Sequence, residues 1–284
     1  MISLEKDHTM AEPLLEISVE RAPFECYVLD KIGLPIISTI TIKNASEDVI
    51  KSLYLKITSD SGTVEPYELH LEALDPDEEI AFEPPLRLAD AMLINANEIY
   101  EETVRIQISH EEANIFSESF DIDIYPFDQW AAFAPQTIAC FVTPNHPAIA
   151  SILVRASDIL NDWTQNSALD AYQSGDPERA RKIAGAIFHA IREQAIVYAE
   201  PPASFAHIGQ RVRFAGDVLT QHIGTCIDLS VLYASCLEQA GLNPFIVFIQ
   251  GHAFAGAWLE DTTFPEIITD DPSQITKGFA RGVD

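Results

Sequence analysis

Apolar and polar residues alternate with a period of two in the first part of the chain, then change to steps of three and four. Leu15-Glu16-Ile17-Ser18-Val19-Glu20 alternates, and so, less regularly, do residues 36–42, 52–58, 104–109 and 116–125. Period two puts every second side chain on one face, so each run predicts a half-buried strand. Turn formers separate the runs: Lys43-Asn44-Ala45-Ser46-Glu47-Asp48, Ser59-Asp60-Ser61-Gly62 and Asp75-Pro76-Asp77. Phe82-Glu83-Pro84-Pro85-Leu86 reads as an edge or crossover, because proline cannot donate to a ladder. Short strands at this spacing predict an antiparallel, Ig-like β-sandwich over residues 1–125.

The pattern changes at Tyr125-Pro126-Phe127-Asp128-Gln129-Trp130, which predicts a second domain over residues 126–284. Residues 147–163 place Ile149, Ile152, Leu153, Ala156, Ile159 and Leu160 on one helical face, with proline in the first turn. Asp176-Pro177-Glu178 opens a second helix, capped by Asp176, that runs to about Ala195. Tyr198-Ala199-Glu200-Pro201-Pro202-Ala203-Ser204-Phe205 reads as a loop crossing toward a third helix. That helix begins near Cys226, buries Leu229, Leu232, Tyr233, Cys236, Leu237 and Ala240, and stops at Gly241. The apolar run at 245–249 predicts a central strand. Residues 252–259 predict another, with His252, Phe254, Gly256 and Trp258 on one face. The expected fold class is α+β, with the cysteine helix packed on an antiparallel sheet.

Charge and cysteine usage narrow the function. The formal charge is −27, from 44 acidic and 17 basic residues, and 27 of the acidic but only 8 of the basic ones precede residue 126. Such a field repels phosphate backbones, so direct nucleic-acid binding is not expected. No apolar stretch is long enough to span a bilayer, and the first seven residues lack the pattern of a signal peptide. Four cysteines in 284 residues do not form a disulfide framework. A cytoplasmic protein with reduced thiols is expected, in which the Asn44-Ala45-Ser46 sequon would go unused.

Cys226 stands in Gly224-Thr225-Cys226-Ile227-Asp228-Leu229, at a helix start, and Gly251-His252-Ala253 follows after a short apolar run. Free N–H groups and the positive end of the helix dipole favour a thiolate at such a place, and a nearby imidazole favours it further. Cys26 and Cys140 lie in apolar contexts. Cys236 is ten residues further along the helix, about 15 Å away, too far for a disulfide with Cys226. No CxxC or HxxxH spacing exists, so no metal and no cofactor are expected. Asp228 reads as a cap on the first turn. An oxyanion hole would use the Cys226 N–H and a side-chain donor, for which Gln210 and Gln221 are both candidates. Asp261 is nine residues beyond His252, roughly 30 Å in an extended strand, and is excluded as its partner. A hairpin turning at 261–265 would bring residues 267–271 back, so that Asp270 or Asp271 approaches the imidazole.

The cysteine segment, Cys236-Leu237-Glu238-Gln239-Ala240-Gly241-Leu242-Asn243-Pro244 and Gly251-His252-Ala253-Phe254 together resemble the transglutaminase-like branch of the papain-like fold. They look most like the transglutaminase-like module near the N-terminus of large bacterial helicase-nuclease proteins, which are associated with defence against phage and other foreign DNA. Val142-Thr143-Pro144-Asn145-His146-Pro147, Tyr172-Gln173-Ser174-Gly175 and the 198–205 segment share the resemblance, which covers about residues 125–284. It implies a cysteine-dependent amide or peptide hydrolase, or an acyl transferase, with Cys226 as nucleophile and His252 as its histidine. It further implies a peptide or protein substrate and, as partners, the helicase or nuclease domains of a longer protein. The family's acid stands on the strand after the histidine. Here position 267 is Ile, so Asp271 is taken as the acid, with Asp270 or a residue beyond the chain end as alternatives. Lys277-Gly278-Phe279-Ala280-Arg281-Gly282-Val283-Asp284 does not read as a domain end, so a fragment or a stand-alone version of a longer protein is expected. No P-loop is present, so ATP-driven unwinding does not reside in these residues. A non-catalytic peptide- or protein-binding module is the main competing reading. A glycan amidase or arylamine acyltransferase would use the same triad.

Overall fold

The computed structural model describes residues 14–111, 113–202 and 208–274. The end of the 198–205 loop and the tail at 277–284 lie outside the described residues. The chain is mixed α and β and divides into two compact units, Met1–Gln129 and Trp130–Asp284. That boundary falls four residues beyond the one expected from the change of period.

The first unit contains β1 (Leu15–Arg21), β2 (Phe24–Glu25), α1 (Tyr27–Lys31), β3 (Ile37–Asn44), β4 (Ile50–Ser59), β5 (Tyr67–Leu74), β6 (Glu79–Phe82), α2 (Asp90–Ile94), β7 (Tyr100–His110) and β8 (Ala113–Ile124). One sheet has the order β1-β3-β6 and is antiparallel. The other has the order β2-β8-β7-β4-β5, antiparallel except for the short parallel pair β2–β8. Alternation explains the packing. In β4, Leu53, Leu55 and Ile57 are buried while Ser52, Tyr54 and Lys56 are exposed. Ile37, Ile40 and Ile42 of the first sheet join Leu53, Ile57, Val104 and Ile106 of the second in one hydrophobic core.

β2, β5, β6 and the short helices α1 and α2 were not expected from the alternation. β5 carries a period-two run that lies between Pro66 and Asp75-Pro76. β6 occupies residues just ahead of Pro84-Pro85, so the predicted edge segment is a strand only as far as Phe82. Within β2, Glu25 is 1% exposed and its carboxylate accepts the N–H of Cys26 at 2.8 Å. Its own carbonyl accepts the N–H of Tyr125. Burial, with a smaller push from Asp30, raises its pKa from 4.5 to about 8.

The second unit runs through β9 (Gln129–Ala131), a 3₁₀ turn (Pro135–Phe141), α3 (Pro147–Thr164), α4 (Pro177–Arg192), β10 (Val197–Tyr198), β11 (Gly209–Arg211), α5 (Ala215–Gln221), β12 (Ile223–Gly224), α6 (Cys226–Gln239), β13 (Pro244–Ile249) and β14 (His252–Ala257). The starts of α3 and α4 follow from their caps. The His146 ring accepts the N–H of Ala148, the Asp176 carboxylate accepts that of Glu178, and a proline opens each helix. Ile149, Ile152, Leu160, Ile183, Ile187, Leu232 and Leu237 interlock in one core, which places α6 against α3 and α4.

β13 and β14 form an antiparallel hairpin, and β14 packs on α6. The expected central strand at 245–249 differs. Among the described residues β13 pairs only with β14, and its residues are only partly buried. The expected return of residues 267–271 as a further strand is likewise absent from the described residues. The chain does turn after β14. Asn243 donates to Asp261 and to the carbonyl of Thr262, and Phe264 packs edge-on against Phe245 and Trp258. Beyond that turn Ile267 is 93% exposed, with no sheet to bury it.

Candidate active site at the start of α6

Three short β-elements and a capping box build the surroundings of Cys226. Thr225 is the N-cap of α6, in an extended conformation. Its hydroxyl accepts the N–H of Asp228 at 3.4 Å, and the Asp228 carboxylate accepts the N–H of Thr225 at 2.9 Å. Two of the orphan donors of the first turn are therefore satisfied, and the N–H groups of Cys226 and Ile227 head the helix beside them.

Asp228 does more than cap. It is fully buried, and it also accepts the backbone N–H of Arg213 at 2.8 Å and the Arg213 guanidinium at 2.9 Å. Through this one carboxylate the segment before α5 is tied to the first turn of α6. Gln210, in β11, is 4% exposed and donates to the Thr225 hydroxyl at 2.8 Å and to the Arg211 carbonyl at 3.2 Å. Its position depends on Gly209, whose φ is +107° and where a Cβ would lie 2.0 Å from the Trp130 carbonyl oxygen. Both N–H bonds of the Gln210 amide are thus spent on the framework, and its buried Oε1 has no partner. Gln221 is exposed at the end of α5. Neither glutamine turns a free N–H toward Cys226 through a bond the structure records.

β10 pairs in parallel with β12, with Tyr198 opposite Gly224, two residues before Cys226. Burial raises the Tyr198 pKa, with smaller pushes from Cys226 and Glu200. Cys226 itself is 3% exposed. The other thiols are set apart by their environments. Burial pushes Cys26 and Cys236 up to about 12 and also raises Cys140, so none of the three is a thiolate at neutral pH.

His252 opens β14. The helix α6 is about 21 Å long and the strand β13 about 20 Å, and they are joined by four residues. Both strands of the hairpin pack on α6. Ala253 is buried, whereas His252 is exposed, and among the described residues its imidazole has no hydrogen-bond or ionic partner. The Asp271 carboxylate accepts the N–H and hydroxyl of Ser273 at 2.9 and 2.8 Å and is not hydrogen-bonded to His252. The structure thus gathers Cys226, Thr225, Asp228, Gln210, Arg213 and Tyr198 around one helix start and leaves Gln221 and Asp271 in other surroundings. Thr225-x-x-Asp228 is a readable capping signature. Nothing in the sequence marks Arg213 as its neighbour. Among the described residues no group of three or more His, Cys, Asp or Glu side chains could hold a metal ion, and no helix is long and apolar enough to cross a membrane.

No protein-family model matches the chain, and no curated protein does. Among solved structures it is similar to Salmonella alpha-2-macroglobulin reacted with methylamine, at 11% identity and a TM-score of 0.28, over 80% of this chain and 16% of that one. It is also similar to a family 76 glycoside hydrolase from a bovine Bacteroides thetaiotaomicron strain, at 13% identity and a TM-score of 0.19, over 80% of this chain and 49% of that one. The chain therefore spans less than half the length of either, and neither likeness is close enough to carry a fold or a chemistry across.

Proposed function

We propose that the second unit is a cysteine-dependent amide hydrolase or acyl transferase of the transglutaminase-like, papain-like kind, and that the first unit is an Ig-like β-sandwich. The observation that supports this most is the placing of Cys226 at the first position of a capped helix, with the strand that begins at His252 packed on that helix. The Cys226 thiol passes its proton to His252, and the sulfur attacks an amide carbonyl carbon. The carbonyl π pair moves to oxygen, which the N–H groups at the head of α6 stabilise. As the C–N bond breaks, His252 returns the proton to the leaving amine, leaving a thioester. Water or a second amine resolves the thioester, with His252 again taking the proton. Asp271 or Asp270 would orient the imidazole once the 266–271 segment lies over the hairpin. The substrate is a peptide or protein, in a cytoplasmic setting. The resemblance to modules of helicase-nuclease proteins favours a role beside such domains in defence.

A second reading, a non-catalytic peptide-binding module, is favoured by the unpartnered His252 ring and by the engagement of Asp271 with Ser273. Iodoacetamide labelling of the native protein, with peptide mapping, separates the two. Catalysis requires Cys226 to react at least about tenfold faster than Cys140, which is the exposed thiol. Labelling of Cys140 with Cys226 left intact would favour the binding module.

A further inference from the structure

We infer that a cleft lined by α3, α4 and α6 is a binding site for a small aromatic anion, a planar ring system that carries a carboxylate or phosphate. The cleft lies within the second unit and has a volume of about 570 Å³, within the range of small-ligand sites. Four ring side chains wall it: Trp163, Phe188, His189 and Tyr233. Trp163 is 47% exposed and Phe188 51%, so two large rings stand in solvent that packing would otherwise cover. His189 is edge-on to both, with its centroid 5.2 Å from that of Trp163 and 6.3 Å from that of Phe188. Phe188 and Tyr233 also meet edge-on, at 6.2 Å. The site is separate from the reading of Cys226 as a nucleophile and does not depend on it.

The sequence of α4 opens this space. Ala184 and Gly185 precede Phe188 by four and three residues, so they share its face and fill it with only a methyl and a hydrogen. A Cβ at Gly185 would meet the Trp163 ring at 3.4 Å, so the indole rests against the backbone of α4. The Tyr233 hydroxyl donates to the Ala184 carbonyl at 3.0 Å, which fixes the wall that α6 provides. An aromatic ligand gains from such ring contacts beyond the area it buries. The charge comes from Arg181 and Lys182, which line the same cleft. Both turn to one carboxylate: Glu178 accepts from Arg181 at 2.7 and 2.5 Å and lies 4.0 Å from Lys182. Glu193, one turn beyond His189, is held by Arg155 at 2.6 and 2.9 Å. Arg181, Lys182 and Glu178 together therefore keep one net positive charge in a chain of formal charge −27, and that local sign selects an anion.

The test titrates the full chain, isotope-labelled at tryptophan, with three matched probes and follows the indole N–H resonances by NMR. 2-Naphthoate carries the ring and the charge. 2-Naphthylmethylamine carries the ring with the opposite charge, and cyclohexanecarboxylate carries the charge without an aromatic ring. 2-Naphthoate is expected to move the Trp163 resonance saturably, with a Kd of about 1 mM or below, while those of Trp130 and Trp258 stay in place. Trp163→Phe identifies the resonance by removing it. The amine and the cyclohexane acid are expected to bind at least about fivefold more weakly. Phe188→Ala and Lys182→Glu, neither of them at a buried position, are each expected to weaken 2-naphthoate by about fivefold. A Trp163 resonance that ignores 2-naphthoate would overturn the site, and so would equal affinity for either of the other two probes. A variant that melts as the wild type does and binds 2-naphthoate as tightly would overturn it as well. The probe comparison on the wild type holds whether or not a variant folds.

Discussion

Replacing Asp228 with Ala is expected to cost the second unit about 3–5 kcal/mol, a large share of a typical domain's stability. The carboxylate is fully buried and serves three donors: the N–H of Thr225, the N–H of Arg213 and the Arg213 guanidinium. Truncation leaves a buried backbone donor at Thr225 and a part-buried one at Arg213 without their acceptor, and it removes the partner of a cation that is two-thirds covered. Asp228→Asn keeps the side-chain volume and one acceptor oxygen, and is expected to lose less. All three tryptophans, Trp130, Trp163 and Trp258, lie in the second unit, so urea unfolding followed by tryptophan fluorescence reads this loss without interference from the first. A change below about 1 kcal/mol for the alanine variant would show that the tie between Arg213 and α6 contributes little.

The second large effect is a pH dependence in the first unit. Glu25 is held protonated by burial, its pKa raised from 4.5 to about 8. Because the folded state binds this proton more tightly than the unfolded state, the stabilisation is complete below pH 4.5. It falls as pH rises and is lost once pH has passed about 8. The difference corresponds to up to roughly 5 kcal/mol across that window. Glu25→Gln supplies a neutral side chain that still accepts the Cys26 N–H, so its stability should stay level over the same range. Amide exchange of β7 and β8 against pH measures both proteins. Parallel profiles for the wild type and the glutamine variant would contradict the assignment.

Long-range architecture was readable where one rule decided it. The alternation in β1 and β4 gave strands because each needs only one buried face. Asp176-Pro177 and Thr225-x-x-Asp228 gave helix starts because capping is local chemistry. The misreadings have physical causes. The run Phe245-Ile246-Val247-Phe248-Ile249 looks central by composition, yet apolar content does not say how many neighbours a strand acquires. α5 has seven residues, too few to display a helical period. The candidate site was half legible. Cys226, His252 and Asp228 stand out by spacing, and the glutamines were chosen by residue type alone. Tyr198 comes 28 residues before Cys226 in a stretch that reads as loop, and a two-residue parallel ladder sets it opposite Gly224.

The central claim is that Cys226 and His252 act on the same bond, and the most direct measurement is the alkylation rate of Cys226 in His252→Ala against wild type. His252 is exposed and its imidazole makes no hydrogen bond among the described residues, so the variant is expected to fold and to melt as the wild type does. A fall of tenfold or more at Cys226, with Cys140 unchanged, is the expected result. Equal rates at Cys226 in the two proteins would contradict it.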